Sequence, residues 1–259
     1  MIFTVIALAI ALTGAYGATI TILYDNVPGK RTLETGWGFS CYIEGYEKTI
    51  LFDTGAQGDI LLSNMAKLHI PLASIQVVVL SHIHGDHVGG IWSILKGRRL
   101  VVYVPCSFPE AFKRRIVDAG HQVVQVTTPM RICRGIWTTG ERGAGIKEQS
   151  LILQSSKGSL LITGCAHPGI VNIVRFTKEH LRREVYMVLG GFHLMGCEEG
   201  EIGRIIRELK RLGVRRFAPS HCTGDRALEL FRSCGGFITS GCGARIEFQT
   251  GRPAGRPAH

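Results

Sequence analysis

The sequence predicts an α/β domain with sheets in the middle and helices outside. Three observations carry this. The first part of the chain is rich in strand-like runs, and strands then alternate with amphipathic helices. The 259 residues, 45% of them hydrophobic, suffice for a sizeable core. No internal linker and no solenoid-like repeat interrupts the pattern.

Taken in order, "ATITILY" (18–24) alternates like a strand. "FSCYIEGYEKTILFDTG" reads as two strands joined through Gly45 and ending at Asp53. "GDILLSNMAKLHI" is an amphipathic helix with Ile60, Leu61, Met65 and Leu68 on one side. "IQVVVLSHI" is a continuous apolar run, as in a buried strand. A helix is expected after Asp86 through "GGIWSIL", then a strand "RLVVYVP" and a helix "PEAFKRRIVDAG" ended by Gly120. "HQVVQVT" and "GIWTTGER" look like strands, and "SLILQSSKGSLLITGC" like a hairpin turning at Lys157-Gly158. The helix "PGIVNIVRFTKEHL" has Pro168 near its first turn. The strand "EVYMVLGGFHL" follows, then a helix with Ile202, Ile205, Ile206 and Leu209 at helical spacing. A short strand ending at His221, a helix "DRALELFRSCG" and a strand "ARIEF" close the domain.

The boundaries read as an apolar leader (1–17), a single domain (18–250) and a disordered Pro/Gly/Arg-rich tail (251–259). The leader carries a small-residue stretch, Ala15-Tyr16-Gly17, that fits a signal peptide but lacks a basic start, and it is short for a membrane span. A start codon assigned too early is the other reading. The eight cysteines form no CxxC pair, which argues against a cysteine-rich structural zinc knot. Most read as reduced core residues, which favours the cytoplasm; a secreted or periplasmic location follows if the leader is a true signal. The net charge of +10 fits an anionic small-molecule substrate. Its basic residues are scattered without aromatic interleaving, so no nucleic-acid partner is expected, and no stable membrane partner either. A homo-oligomer is compatible with the sequence.

The densest chemistry is "LSHIHGDHVGG" (80–90). Along an extended strand end, residues two apart point the same way, so His82 and His84 converge. Asp86 and His87 follow the turn at Gly85 and can reach a second point nearby. Imidazoles and a carboxylate suit zinc, iron or manganese. Two adjacent sites would make a dinuclear centre, with ions about 3.5–4 Å apart.

"HIHGDH" matches the HxHxDH pattern of the metallo-β-lactamase superfamily, which the chain resembles over residues 19–249. "LFDTG" (51–55), "TGCAHPG" (163–169) and "PSHCTG" (219–224) follow in that family's order. The fold implied is a four-layer αββα sandwich with metals at one edge between the sheets. Together with "LYDN" and "GGFHL", these motifs resemble the branch of 7,8-dihydropterin-6-methyl-4-(β-D-ribofuranosyl)aminobenzene 5′-phosphate synthases.

The resemblance implies two divalent ions, zinc first, with iron or manganese as alternatives. His82, His84 and His167 would hold one, and Asp86, His87 and His221 the other. Asp53 is expected to accept a hydrogen bond from a ligand histidine and orient it. Cys165 stands where most dinuclear members place a bridging aspartate; it is either a thiolate ligand or a small residue packed beneath the site. Glu148 is a reserve candidate for the place of the third histidine. His193 is read as a residue that binds substrate, shuttles a proton or ligates metal, Asp86 also as a proton acceptor, and Cys222 as packing. Three function classes stay open: a hydrolase acting on a phosphate-bearing small molecule through a metal-activated water, a pterin-pathway transferase, and a non-hydrolytic metal or redox protein.

Overall fold

The computed structural model describes residues 17–250. The tail (251–259) and the leader, except Gly17, lie outside them. In the first half, β1 (Gly17–Asp25), β2 (Phe39–Glu44) and β3 (Ile50–Phe52) lead into α1 (Gly58–Lys67) and β4 (Val77–Val79). Two single-turn helices follow, α2 (Gly85–Val88) and α3 (Ile91–Ile94), then β5 (Val101–Pro105), α4 (Glu110–Asp118) and β6 (Gln122–Val126). The second half comprises β7 (Met130–Cys133), β8 (Ile136–Thr138), β9 (Leu151–Ser155), β10 (Gly158–Thr163), α5 (Ile170–Glu179) and β11 (Val185–Gly191). It ends with α6 (Glu199–Arg211), β12 (Arg216–Ser220), α7 (Asp225–Ser233) and β13 (Arg245–Gln249).

The strands form two sheets, ordered β13-β1-β2-β3-β4-β5-β6 and β12-β11-β10-β9-β8-β7. Ile20, Ile22, Phe39, Phe52 and Val79 of the first sheet meet Leu151, Leu153, Leu160, Ile162 and Leu189 of the second. The opposite face of the first sheet (Leu51, Val78, Val102) packs on Leu61, Met65, Ile91 and Ile116 of α1, α3 and α4. The opposite face of the second (Leu161, Val188, Phe217) packs on Ile173, Val174, Ile202, Leu209 and Phe231 of α5, α6 and α7. Each such side chain contributes about 1.5–3 kcal/mol by leaving water. The result is the αββα sandwich. Its central strands are buried on both faces, which is why they read as unbroken apolar runs.

Two local expectations need correction. The helix expected after Asp86 begins at Gly85 and breaks at Gly89-Gly90. The break is a close approach: Gly90 N–H donates to Gly55 O at 3.2 Å, and a side chain on Gly89 would press into Ala56 O. Strand β7 was not expected. It has four residues and sits at a sheet edge, where pairing with β8, rather than its own pattern, makes it a strand. The cysteines are all free and five of the eight are buried, in line with most being reduced core residues; Cys106 is exposed and Cys197 and Cys234 are half-buried.

Strands β3 to β6 run parallel in the first sheet, and β10, β11 and β12 in the second. The carboxyl ends of β3 and β4 therefore meet those of β10, β11 and β12 at one edge of the sandwich. Open α/β sheets bind ligands at such ends. No helix among the described residues is long and apolar enough to cross a membrane.

Candidate metal centre

Asp53, just past β3, organises the first half of the site. It is fully buried; its Oδ1 accepts from Ser81 N–H at 2.6 Å and its Oδ2 from Ser81 Oγ–H at 2.7 Å. Ser81 Oγ in turn accepts from His82 Nδ1–H at 2.9 Å. Oδ2 also accepts from His87 Nδ1–H at 2.7 Å. One carboxylate thus fixes the tautomer of two histidines and leaves both Nε2 lone pairs facing inward. His82 Nε2 faces His84 Nδ1 at 3.1 Å. The His167 ring closes this group, with centroids 4.5 and 4.9 Å from those of His82 and His84.

The second group lies alongside. His221 Nδ1–H donates to Asn26 Oδ1 at 2.8 Å, and the Asn26 amide donates back to His221 O at 3.4 Å. His221 Nε2 therefore also points inward, 3.2 Å from His87 Nε2. Asp86 Oδ2 lies 3.5 Å from His87 Nε2 and 3.3 Å from His221 Nε2, and Cys165 Sγ lies 3.3 Å from His87 Nε2. Four electron-rich atoms this close repel unless a cation stands among them. Zinc with bonds of about 2.0–2.3 Å holds tetrahedral N and S donors roughly 3.3–3.6 Å apart, so the donor set fits a divalent ion.

Electrostatics agree. Burial acts to lower the pKa of His87, but Asp53 and Asp86 outweigh it and raise it to about 10. In the metal-free chain this proton neutralises the convergent donors. Burial alone raises Asp53. For His82, burial and the neighbouring His87 lower the pKa to about 2, so the ring is neutral and free to ligate. Burial acts to raise Asp86, but the imidazoles of His221 and His87 beside its Oδ2 bring it well below the ordinary carboxylate range. Its Oδ2 lies between two imidazoles.

Glu148 does not take the place of a third histidine. It is buried behind the 164–167 loop: Oε1 accepts the N–H groups of Gly164, Cys165 and Ala166 at 3.1, 3.1 and 2.9 Å. Oε2 accepts His167 N–H at 2.9 Å and His167 Nδ1–H at 3.0 Å. Burial would raise its pKa, but these bonds, led by His167, lower it to about 2. Glu148 thus aims His167 and shapes the loop that carries Cys165. Of the six non-glycine residues at positive φ among the described residues, Asp53, Ala166, His193 and His221 lie here, at 57°, 58°, 54° and 48°. Such backbone costs on the order of 1–3 kcal/mol each and persists only where surrounding bonds enforce it.

His193, exposed at the end of β11, sets its ring 4.6 Å from that of His167, at the mouth of the site. Cys222 is more than packing: its Sγ groups with Cys165 Sγ and a ring nitrogen of His193 within 4.8 Å. Hydrogen bonding from Cys165, against burial and with help from His193, lowers the Cys222 thiol to about 5, while the Cys165 thiol is pushed up by the same bond and by burial. Trp37, 49% exposed, lies 4.9 Å from the His221 ring. Sequence reasoning missed Ser81, Asn26 and Trp37. Asn26 sits in the quoted "LYDN" stretch and Ser81 directly precedes His82, so two of the three lay inside motifs already singled out.

Residues 38–115 match the family model for the metallo-beta-lactamase superfamily. The 7,8-dihydropterin-6-methyl-4-(beta-D-ribofuranosyl)-aminobenzene-5′-phosphate synthase of Methanocaldococcus jannaschii is 32% identical over 244 residues, covering 75% of this chain and 83% of that protein. Among solved structures, Tm1679, described as a metal-dependent hydrolase of the beta-lactamase superfamily, superposes with a TM-score of 0.76 at 27% identity, covering 90% of this chain and 99% of the other. A diphosphatase from the PhnP family shares the fold, with a TM-score of 0.60 at 14% identity over 90% of this chain and 98% of the other.

Proposed function

We propose a function from one premise: the chain belongs to the metallo-beta-lactamase superfamily, in the branch of the archaeal synthase. On our reading it is a metal-dependent hydrolase of a phosphate-bearing small molecule. The observation that carries this is the convergence of ring nitrogens in two adjoining groups, aimed by hydrogen bonds to buried Asp53 and Glu148 and to half-buried Asn26. His82, His84 and His167 would hold one divalent ion and Asp86, His87 and His221 the other, and the ions would supply Lewis acidity and a water ionised near neutral pH.

The chain's own residues do the rest. Asp53, Glu148 and Asn26 hold the ligand rings in place, so little reorganisation accompanies reaction. His193, at the mouth, is positioned to give a proton to the departing oxygen. The net charge of +10 favours the approach of an anion. A second reading, a transferase that joins a pterin to a phosphate-bearing acceptor, is favoured by the similarity to the archaeal synthase.

The test combines metal content and turnover. Elemental mass spectrometry of the purified chain should find about two zinc, iron or manganese ions. A model phosphodiester should be hydrolysed, and His82→Ala should abolish this. Turnover that requires both a dihydropterin and a phosphate-bearing acceptor would replace the hydrolase with the transferase. A chain that takes up no metal after reconstitution would overturn both.

A further inference from the structure

We infer that Cys165 is a metal ligand shared by both groups, a thiolate bridge between the two ions. The inference rests on the dinuclear reading above and deepens it. Cys165 Sγ falls within 4.8 Å of the ligand atoms of His82 and His167, and equally of those of His87 and His221. It is the residue common to both groups, and it is buried. Its separation from His87 Nε2, 3.3 Å, matches the other donor spacings of the second group, 3.2 to 3.5 Å.

A packing role explains less. As a neutral thiol, Cys165 has one hydrogen and can satisfy one acceptor. Even with a proton on His87 Nε2 turned to Asp86 Oδ2, the His221 Nε2 lone pair would still lie 3.3 Å from that carboxylate oxygen. A sulfur placed on two cations satisfies all of them. The position is also enforced. Three successive N–H groups, including that of Cys165, are tied to Glu148 Oε1, and Ala166 is held at φ 58° to complete the turn. On coordination the Cys165 S–H bond breaks, its proton leaves to solvent, and the sulfur keeps the electron pair that binds the ions. No electron is transferred. A thiolate bridge favours a soft ion such as zinc over manganese.

The test uses the full chain, reduced, stripped of metal and titrated with cobalt(II). Wild type should bind two equivalents, with ligand-field bands in the visible and a sulfur-to-cobalt charge-transfer band in the near ultraviolet. Cys165→Ser should lose the charge-transfer band and one equivalent while keeping visible bands. Cys165→Asp, with a carboxylate in the bridging position, should regain the second equivalent without the band. Cys222→Ser should leave the band in place. Thermal unfolding of each metal-free variant guards against misfolding, and Cys165→Asp with two ions bound is itself a folded control. Cobalt bound with visible bands but no charge-transfer band in wild type would overturn the bridge and leave the metal reading standing. A band that survives Cys165→Ser and vanishes in Cys222→Ser would assign the sulfur to Cys222 and overturn the bridge. No cobalt uptake by wild type would overturn bridge and metal reading together.

Discussion

The two halves of the site are built differently. The half on the first sheet draws His82, His84, Asp86 and His87 from six consecutive positions at one strand end, and one buried carboxylate, Asp53, aims two of the rings. The half on the second sheet draws Cys165, His167, His193 and His221 from three separate strand ends, each with its own support, and three of the site's four positive-φ residues lie there. Where the candidate ligands are local in sequence, the turn itself brings them together. Where they come from distant strands, hydrogen-bonded loops held in costly backbone conformations must do it.

The largest expected effect tests the shared support of the first half. Asp53→Ala leaves His87 and Ser81 without their buried acceptor and should cost about 3–5 kcal/mol. Denaturant unfolding of the metal-free variant, alongside its metal content, should show the loss of stability together with loss of both ions. Retention of one ion at full affinity would mean that the two groups are supported separately.

Glu148→Gln should act more narrowly. The glutamine NH2 would face backbone N–H groups or His167 Nδ1–H, donor against donor. Affinity for the ion of His82, His84 and His167 should fall about 10–100-fold, with the second ion less affected. Competition with a chromophoric chelator measures both.

Next comes pH, where the halves respond at opposite ends. The folded pKa of His87 is raised from 6.5 to about 10. Its contribution to stability is complete below about 6.5 and is lost as pH rises through 10. The folded pKa of Glu148 is lowered from 4.5 to about 2, so its contribution holds above 4.5 and is lost as pH falls toward 2. Unfolding of the metal-free chain across this range should show both limbs. Metal should flatten the alkaline limb, because an ion takes the place of the His87 proton; an unchanged alkaline limb in the loaded protein would place the ion elsewhere.

The smallest effect concerns the rim. Trp37→Ala removes an exposed ring beside His221 and should change stability by no more than about 0.5 kcal/mol. Once a substrate is in hand, KM should rise with kcat nearly unchanged, the mark of a residue that only binds. A fall in kcat alone would move Trp37 from the rim into the support of His221.

Legibility followed the same division. The first half could be read from "HIHGDH" because a strand end and one turn fix where four side chains point. Cys165, His167 and His221 could be singled out only through motif order. Their actual supports were opaque: Glu148 is 19 positions from His167, and Asn26 is 195 from His221. The "LYDN" stretch was noticed, but nothing local says that its asparagine faces a histidine at the other end of the chain.

The sequence by itself determined the alternation of strands and helices, with sheets in the middle and helices outside, and the cluster at residues 82–87, because periodicity and local turns depend on near neighbours. Tertiary structure alone decided that β7 pairs at a sheet edge, that Glu148 stands behind a histidine rather than replacing one, and that a single sulfur lies within reach of both histidine groups. Those outcomes depend on how two sheets bring their strand ends to a common edge, and the distances set there are recorded in no stretch of the chain.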